Sequence, residues 1–327
     1  MNKDELIELI ESLKIDKNEF WILSSGALVL RDIFPDAGDL DIAVTEKGLD
    51  ELKSNYNLKQ KENGWYIVND KVECVLDTKT DWKFENFNGY NIQSIFVYYE
   101  YLLKSNREKD KLRIPLIEKY MKENNIKLKQ VLFATSNPAK LKRFSDGLLK
   151  RGIELLSLKD IDVEIDVEEN GKDAIENALI KARAYYKETR IPTIGMDDNL
   201  YLENVPDNKQ PGMYVRRVDG KTLNDEEMIE HYINLVKQYG TDGKIAARWI
   251  YGMAIINNEK ENTFTWSKED FNLVDKPSNI VQKGYPLNTI SVNKKLNKYF
   301  TEITEEDKIL IKEDESEVVD FIYSSVK

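Results

Sequence analysis

The stretch VLFATSNPAKLKRF, residues 131–144, decides how the second half of the chain is read. An apolar run ends at Ala134, and the small or polar residues Thr135, Ser136 and Asn137 follow as turn formers. Pro138 suits the first turn of a helix, where its missing N–H needs no partner. The pattern therefore predicts strand, turn and helix. Free N–H groups at such a helix start, with Lys140 one turn in, make an anion site of the kind that holds phosphate. The competing reading is an ordinary strand–turn–helix unit with a surface lysine.

Two later segments supply carboxylates. In DVEENGKDAIENALIKARAYY, residues 166–186, Glu168 and Glu169 precede a helix whose apolar residues recur at helical spacing. Asn177 and Lys181 are four apart and share a face. Acidic residues there also have a plain explanation, since they interact favourably with the helix dipole. In IPTIGMDDNLYLENV, residues 191–205, Asp197 and Asp198 directly follow a strand-like run. Successive strand side chains face opposite ways, so both aspartates reach one site only if the strand ends before them. With Glu169 they suit Mg²⁺, which takes one or two protein carboxylates plus waters and phosphates.

The rest of the chain narrows the class. Its 327 residues favour two domains, and 41% hydrophobic with 33% charged residues describes a globular protein. A net charge of −11 argues against broad nucleic-acid binding, while leaving room for small anionic ligands held by local cations. Cys74 is the sole cysteine, which excludes disulfide frameworks and cysteine-based zinc sites. The sole histidine, His231, sits in a helical pattern opened by Asn224 and Glu227, so serine and cysteine hydrolase triads lack a base. The N-terminus reads as an amphipathic helix rather than a signal peptide, and no apolar run spans a membrane, so a cytoplasmic location is expected.

The chain divides at the polar stretch KENNIKLK, giving domains 1–125 and 126–327. The first reads as α+β, closed by a long helical run broken around Pro115. The second alternates strands and helices in a mixed-sheet α/β order and ends in a helix.

From about 129 to 250 the motifs resemble the inosine triphosphate pyrophosphatase (ITPase) family, which hydrolyses aberrant purine nucleoside triphosphates to monophosphate and pyrophosphate. The family's T-x-N-x-x-K is present as Thr135, Asn137 and Lys140, and E-x-G as Glu169 and Gly171. E-N-A-x-x-K-A follows as Glu176, Asn177, Ala178, Lys181 and Ala182. P-G-x-Y-x-x-R is present as Pro211, Gly212, Tyr214 and Arg217, and an A-R-aromatic strand as Ala247, Arg248 and Trp249. The resemblance implies that Lys140 holds phosphate while Glu169 and Asp198 position Mg²⁺ and the attacking water. It further implies that Asp197 supports them, that Arg217 and Arg248 are polar anchors, and that the chain dimerises through this domain. Thr135, Ser136, Asn137, Asn177, Lys181, Asn199, Tyr214 and Tyr285 complete the expected substrate set. Departures gather at the base-reading end. The family's D-D-S-G is Asp197-Asp198-Asn199-Leu200, its G-Y-D-P is Gly284-Tyr285-Pro286 without the acid, and its S-H-R falls near Lys312-Glu313-Asp314.

The first domain resembles the nucleotidyltransferase superfamily, in particular toxin-like proteins of abortive-infection systems. Ser24-Ser25-Gly26 opens a helix, and Asp39 and Asp41 lie two apart, on one face of a strand. Glu73 or Asp77 is the expected third carboxylate, and Arg107, Lys109 and Asp110 resemble a later R-x-K-D element. The first expectation for the whole chain is Mg²⁺-dependent pyrophosphohydrolysis of a deaminated or modified purine nucleoside triphosphate such as ITP, dITP or XTP. The alternatives are a weakened nucleotide sensor that signals to an effector protein, in anti-phage defence, and nucleotide transfer by the first domain.

Overall fold

The computed structural model describes residues 1–161, 163, 165–311 and 315–327. They form two compact units, Met1–Leu128 with Leu149–Gly152, and Lys129–Leu148 with Ile153–Lys327. Among the described residues no helix is long and apolar enough to cross a membrane.

In the first unit, α1 (Lys3–Ser12) starts at Asn2, whose side chain and that of Glu5 cap each other's backbone N–H. The strands are β1 (Phe20–Ile22), β2 (Leu40–Val44), β3 (Lys59–Gln60), β4 (Tyr66–Asn69), β5 (Val72–Leu76), β6 (Phe84–Phe87) and β7 (Tyr90–Gln93). They form one sheet in the order β3-β4-β5-β2-β1-β7-β6. α2 (Ser24–Leu30) and α3 (Glu46–Asn55) connect the early strands, and Leu6, Ile10, Ile22, Leu40 and Ile42 centre the core. The helical run expected to break at Pro115 breaks earlier, giving α4 (Ile95–Lys104), α5 (Glu108–Lys111) and α6 (Ile114–Glu123). Pro115 lies in the first turn of α6, where proline is accommodated without a lost hydrogen bond.

The second unit contains β8 (Lys129–Phe133), α7 (Pro138–Leu149), β9 (Ile153–Leu156), α8 (Ala174–Thr189) and β10 (Thr193–Leu202). The short hairpin β11 (Arg217–Val218) and β12 (Lys221–Thr222), α9 (Asp225–Tyr239), β13 (Lys244–Asn257), β14 (Lys260–Val274) and β15 (Ser291–Asn293) follow. Two helices, α10 (Glu305–Ile311) and α11 (Ser316–Val326), are described where one was expected. The sheet order is β15-β14-β13-β10-β8-β9, with β8 parallel to both neighbours and the other pairs antiparallel. One sheet face is covered by α7 and α11, through Phe144, Leu148, Val319 and Ile322 against Ile194, Met196, Met253 and Ile255. On the other, Ala178, Ala182 and Tyr186 of α8 cover Ala254 and Ile256.

The expectation that a strand ends before Asp197 is overturned. β10 continues through both aspartates to Leu202, because β13 pairs with it along its whole length. What ends there is the neighbour on the opposite edge. β8 pairs only with Thr193 and Ile194, and that edge is next used at Leu200, which exchanges hydrogen bonds with Gly212. The aspartates therefore lie mid-strand, beside a stretch of strand edge that is bare of strand partners among the described residues.

Candidate active site

The turn after β8 is held by its own side chains. Thr135 Oγ1 accepts from the Asn137 N–H at 3.1 Å, and Asn137 Oδ1 accepts from the Ala139 N–H at 2.9 Å. Asn137 Nδ2 donates to the Gly284 carbonyl at 3.3 Å, which brings the segment bearing Tyr285 to the start of α7. The Asn137 carboxamide thus builds the site's frame. Ser136 is exposed at the tip of the turn.

Strand alternation sends the two aspartates to opposite faces. Asp198 faces α7, where Lys140 Nζ bonds to its Oδ1. Burial pushes the Lys140 ammonium down, but the Asp198 carboxylate outweighs it and holds the pKa above the usual lysine range. Asp197 faces α8, where Asn177 Nδ2 donates to its Oδ2 at 2.9 Å and Lys181 Nζ lies 3.4 Å from its Oδ1. Lys181 also donates to Glu169 Oε2 at 3.1 Å. Glu169 is therefore grouped with Asp197 through Lys181, while the expected metal pair, Glu169 and Asp198, is divided between the two sets. Both sets hang from the same stretch of β10, with Lys140 on the α7 face and Lys181 on the α8 face.

α8 is positioned for this by two close approaches. A Cβ on Gly195 would lie 2.0 Å from the Ala178 carbonyl oxygen, and one on Gly252 2.5 Å from the Ala174 carbonyl carbon. Asp173 caps the helix by accepting from the Glu176 N–H at 2.9 Å. Asn177, 2% exposed, accepts from the Gly171 N–H at 2.8 Å and so ties the loop that carries Glu169 to the helix.

Other expected residues are less closely drawn in. Asn199 is buried beside Asp197, with its Oδ1 lacking a hydrogen-bond partner among the described residues. Tyr214, Arg217 and Arg248 are exposed, and Arg248 lies over the Tyr201 ring at 5.8 Å. Lys312-Glu313-Asp314 lies outside the described residues. Beside Lys140 on α7, Arg143 donates from Nε to Glu315 Oε1 at 2.6 Å and lies over the Tyr251 ring at 4.9 Å, three residues that the sequence did not single out. Arg143 lies one turn beyond Lys140, a spacing that could have marked it, and Tyr251 is two positions from Trp249 on the same strand. Nothing local marked Glu315.

In the first unit, Asp41 and Glu73 stand opposite each other on the parallel strands β2 and β5. Burial, then Asp39 and Glu73, raise the Asp41 pKa to about 6, and Ser24 hydrogen-bonds to it. Lys61 pairs with Glu73, whereas Asp77 pairs with Lys83. Ser25 and Gly26 lie inside the first turn of α2, with Gly26 packed on Ile22. Arg107 pairs with Asp110 at 2.5 Å, an ion pair local to α5.

A dITP/XTP pyrophosphatase of Leptospira interrogans is 31% identical over 180 residues, which is 55% of this chain and 88% of that protein. One of Bacillus subtilis is 29% identical over 182 residues, 55% of this chain and 89% of that protein. A Staphylococcus aureus Ham1 protein structure aligns with a TM-score of 0.48 at 21% identity, covering 60% of this chain and 99% of that one. The Ham1 family model matches residues 131–313. That match starts on β8, takes in Lys140, Glu169, Asn177, Lys181 and both aspartates, and spans more than half of the chain, which therefore belongs to the Ham1 family, the ITPase-type family that its motifs resemble.

Proposed function

We propose that the second unit hydrolyses a deaminated or modified purine nucleoside triphosphate, of the ITP, dITP or XTP class, to monophosphate and pyrophosphate with Mg²⁺. The supporting observation is the pair of lysine–carboxylate sets on one stretch of β10: Lys140 with Asp198, and Lys181 with Glu169 and Asp197. The names of the relatives supply the substrate class.

Phosphoryl chemistry depends on positioning and charge neutralisation more than on covalent work by the protein. Lys140 and Lys181 bind phosphate oxygens, and a carboxylate oxygen of Asp198 takes a proton from the attacking water. The bond between the α and β phosphates breaks. Among the described residues no three acidic, histidine or cysteine side chains form a ready metal cage. The donors on the α8 face nevertheless suit Mg²⁺, since Glu169 and Asp197 share Lys181 there and offer hard oxygens, and the Asn199 Oδ1, without a partner among the described residues, adds another. When bound, the ion would supply charge neutralisation at the phosphates.

The test is to incubate the protein with ITP, dITP, XTP and ATP plus Mg²⁺, following pyrophosphate release and nucleotide binding in parallel. Asp198→Asn is expected to slow release by about 10²- to 10⁴-fold, the usual contribution of a positioned base. Release unchanged in that variant would remove Asp198 from the reaction. Tight binding without release over hours would favour the sensor reading, for which the buried, unpartnered Asn199 is the supporting observation.

A nucleotidyltransferase-like role for residues 1–125 is a second proposal, supported by Asp41 and Glu73 standing opposite each other on β2 and β5; Asp39, expected on the same strand face as Asp41, precedes β2 and acts on Asp41 electrostatically. Asp39→Ala with Asp41→Ala leaving every activity of the chain unchanged would reduce that unit to a structural role.

A further inference from the structure

Arg143 follows Lys140 on α7 by about one turn, about 4.5 Å further along the axis. Beneath it runs one row of the sheet, in which Asp198 on β10 pairs with Tyr251 on β13, and Tyr251 with Trp266 on β14. The Tyr251 and Trp266 rings stack at 4.9 Å. The Arg143 guanidinium carbon lies 4.9 Å from the centre of the first ring and 5.8 Å from that of the second. Its Nε donates to Glu315 Oε1 at 2.6 Å, and the two side chains are 21% and 30% exposed, so a ligand can reach both. Tyr285 joins this group because Asn137 donates to the Gly284 carbonyl. The Tyr285 hydroxyl is buried, lacks a hydrogen-bond partner among the described residues, and feels the charges of both Arg143 and Glu315.

The Nε bond leaves other guanidinium N–H donors over, and a carboxylate accepts at both oxygens. The pair therefore presents a donor and an acceptor side by side above stacked aromatic rings. A phosphate would use only the donor and be repelled by Glu315, and Lys140 and Lys181 already serve the phosphates. A surface tie between α7 and Glu315 would account for the ion pair alone. It leaves the orphaned hydroxyl unexplained, and a buried polar group without a partner is costly. The edge of a 6-oxopurine answers all three groups. It offers O6 as an acceptor next to N1–H as a donor, arginine is a common partner of that oxygen, and a phenol hydroxyl can donate or accept. Adenine presents the reverse, an amino donor beside a bare N1 acceptor, so donor would face donor and acceptor face acceptor.

We propose that Arg143 and Glu315 read the base, with Arg143 donating to O6, Glu315 accepting from N1–H and Tyr285 adding its hydroxyl to the same edge. This rests on reading the site as one for purine nucleotides, and it sets an order among the oxopurines. Xanthine nucleotides lose a ring proton below neutral pH, so Glu315 repels their base and favours hypoxanthine. Guanine shows the same two atoms as hypoxanthine, and this pair accepts both.

The experiment measures calorimetric binding of inosine, xanthosine and adenosine monophosphates (IMP, XMP and AMP) to the full chain at neutral pH, alongside inorganic tripolyphosphate with Mg²⁺. The wild type is expected to bind IMP about 10- to 100-fold more tightly than AMP, the value of one well-placed pair of hydrogen bonds to a base, and also more tightly than XMP. Arg143→Met should erase most of the preference over AMP while leaving tripolyphosphate binding intact, which also shows that the variant is folded. Arg143→Lys keeps the charge but not the fork of donors, and should lose part of the preference. Tyr285→Phe should weaken IMP several-fold. Glu315→Gln should bring XMP closer to IMP, because the charge that repels xanthine is gone. The proposal is overturned if the wild type binds AMP or XMP as tightly as IMP, or if Arg143→Met keeps the preference. It is equally overturned if Arg143→Met weakens tripolyphosphate in step with IMP, the behaviour of a phosphate contact or a structural tie, or if Glu315→Gln leaves the ratio of IMP to XMP unchanged. Should tripolyphosphate fail to bind the wild type while IMP binds through Arg143, the triphosphate reading fails and this one stands.

Discussion

Asn177 shows how a single carboxamide can organise this site. Its oxygen holds the Gly171 backbone and its nitrogen holds Asp197, so one buried side chain fixes both the loop bearing Glu169 and the carboxylate across from it. Asn177→Ala would orphan both partners, at a cost of about 1–3 kcal/mol for each buried group left unpaired. We expect a lower Tm together with reduced dITP turnover. Normal turnover in a folded Asn177→Ala protein would show that the loop holds itself in place. A sequence shows that Asn177 and Lys181 share a helix face, but which carboxylate each one meets depends on partners far along the chain. This is why Glu169 groups with Asp197 rather than with Asp198.

At the scale of elements, the site depends on how closely α8 approaches the sheet. Gly195 and Gly252 sit under the helix backbone, and this contact places Asn177 and Lys181 over Asp197. In Gly195→Ala the new methyl group would meet the Ala178 carbonyl oxygen at 2.0 Å, and backbone cannot swing aside as a side-chain tip can. Such overpacking costs about 1–3 kcal/mol or more. The helix should lift, so the expected result is a destabilised protein whose remaining folded fraction binds nucleotide weakly. Wild-type stability and binding in that variant would contradict the close contact. Here the reading of IPTIGM as a complete strand failed for a physical reason. Charged residues usually mark a strand's end, yet β10 runs on because β13 supplies hydrogen-bond partners along one edge while lysines neutralise the aspartates on each face.

At the scale of the whole molecule, the candidate acidic sites of the two units are balanced differently. In the second unit each aspartate meets a lysine, whereas Asp41 in the first is half-buried near Asp39 and Glu73, with Lys61 offsetting only part of the effect. The folded pKa of Asp41, about 6, lies above its ordinary value of 3.8, so the folded state binds the proton more tightly than the unfolded state. Its contribution to stability is fully present below pH 3.8 and is lost as pH rises through about 6. Asp41→Asn should therefore raise the unfolding temperature of the first unit at pH 8 and leave it almost unchanged near pH 4. An equal shift at both values would assign the effect to packing rather than charge. Short-range physics was legible along the chain, including the turn before Pro138, the Asn224 cap of α9, and the motif order that marked the family. Those features depend on residues within a few positions of one another. The faces to which Asp197 and Asp198 point, the lysine each one meets and the pairing of Arg143 with Glu315 were settled only by the folded sheet and its helices. These contacts join residues from 16 to 172 positions apart, and no local spacing encodes such a distance.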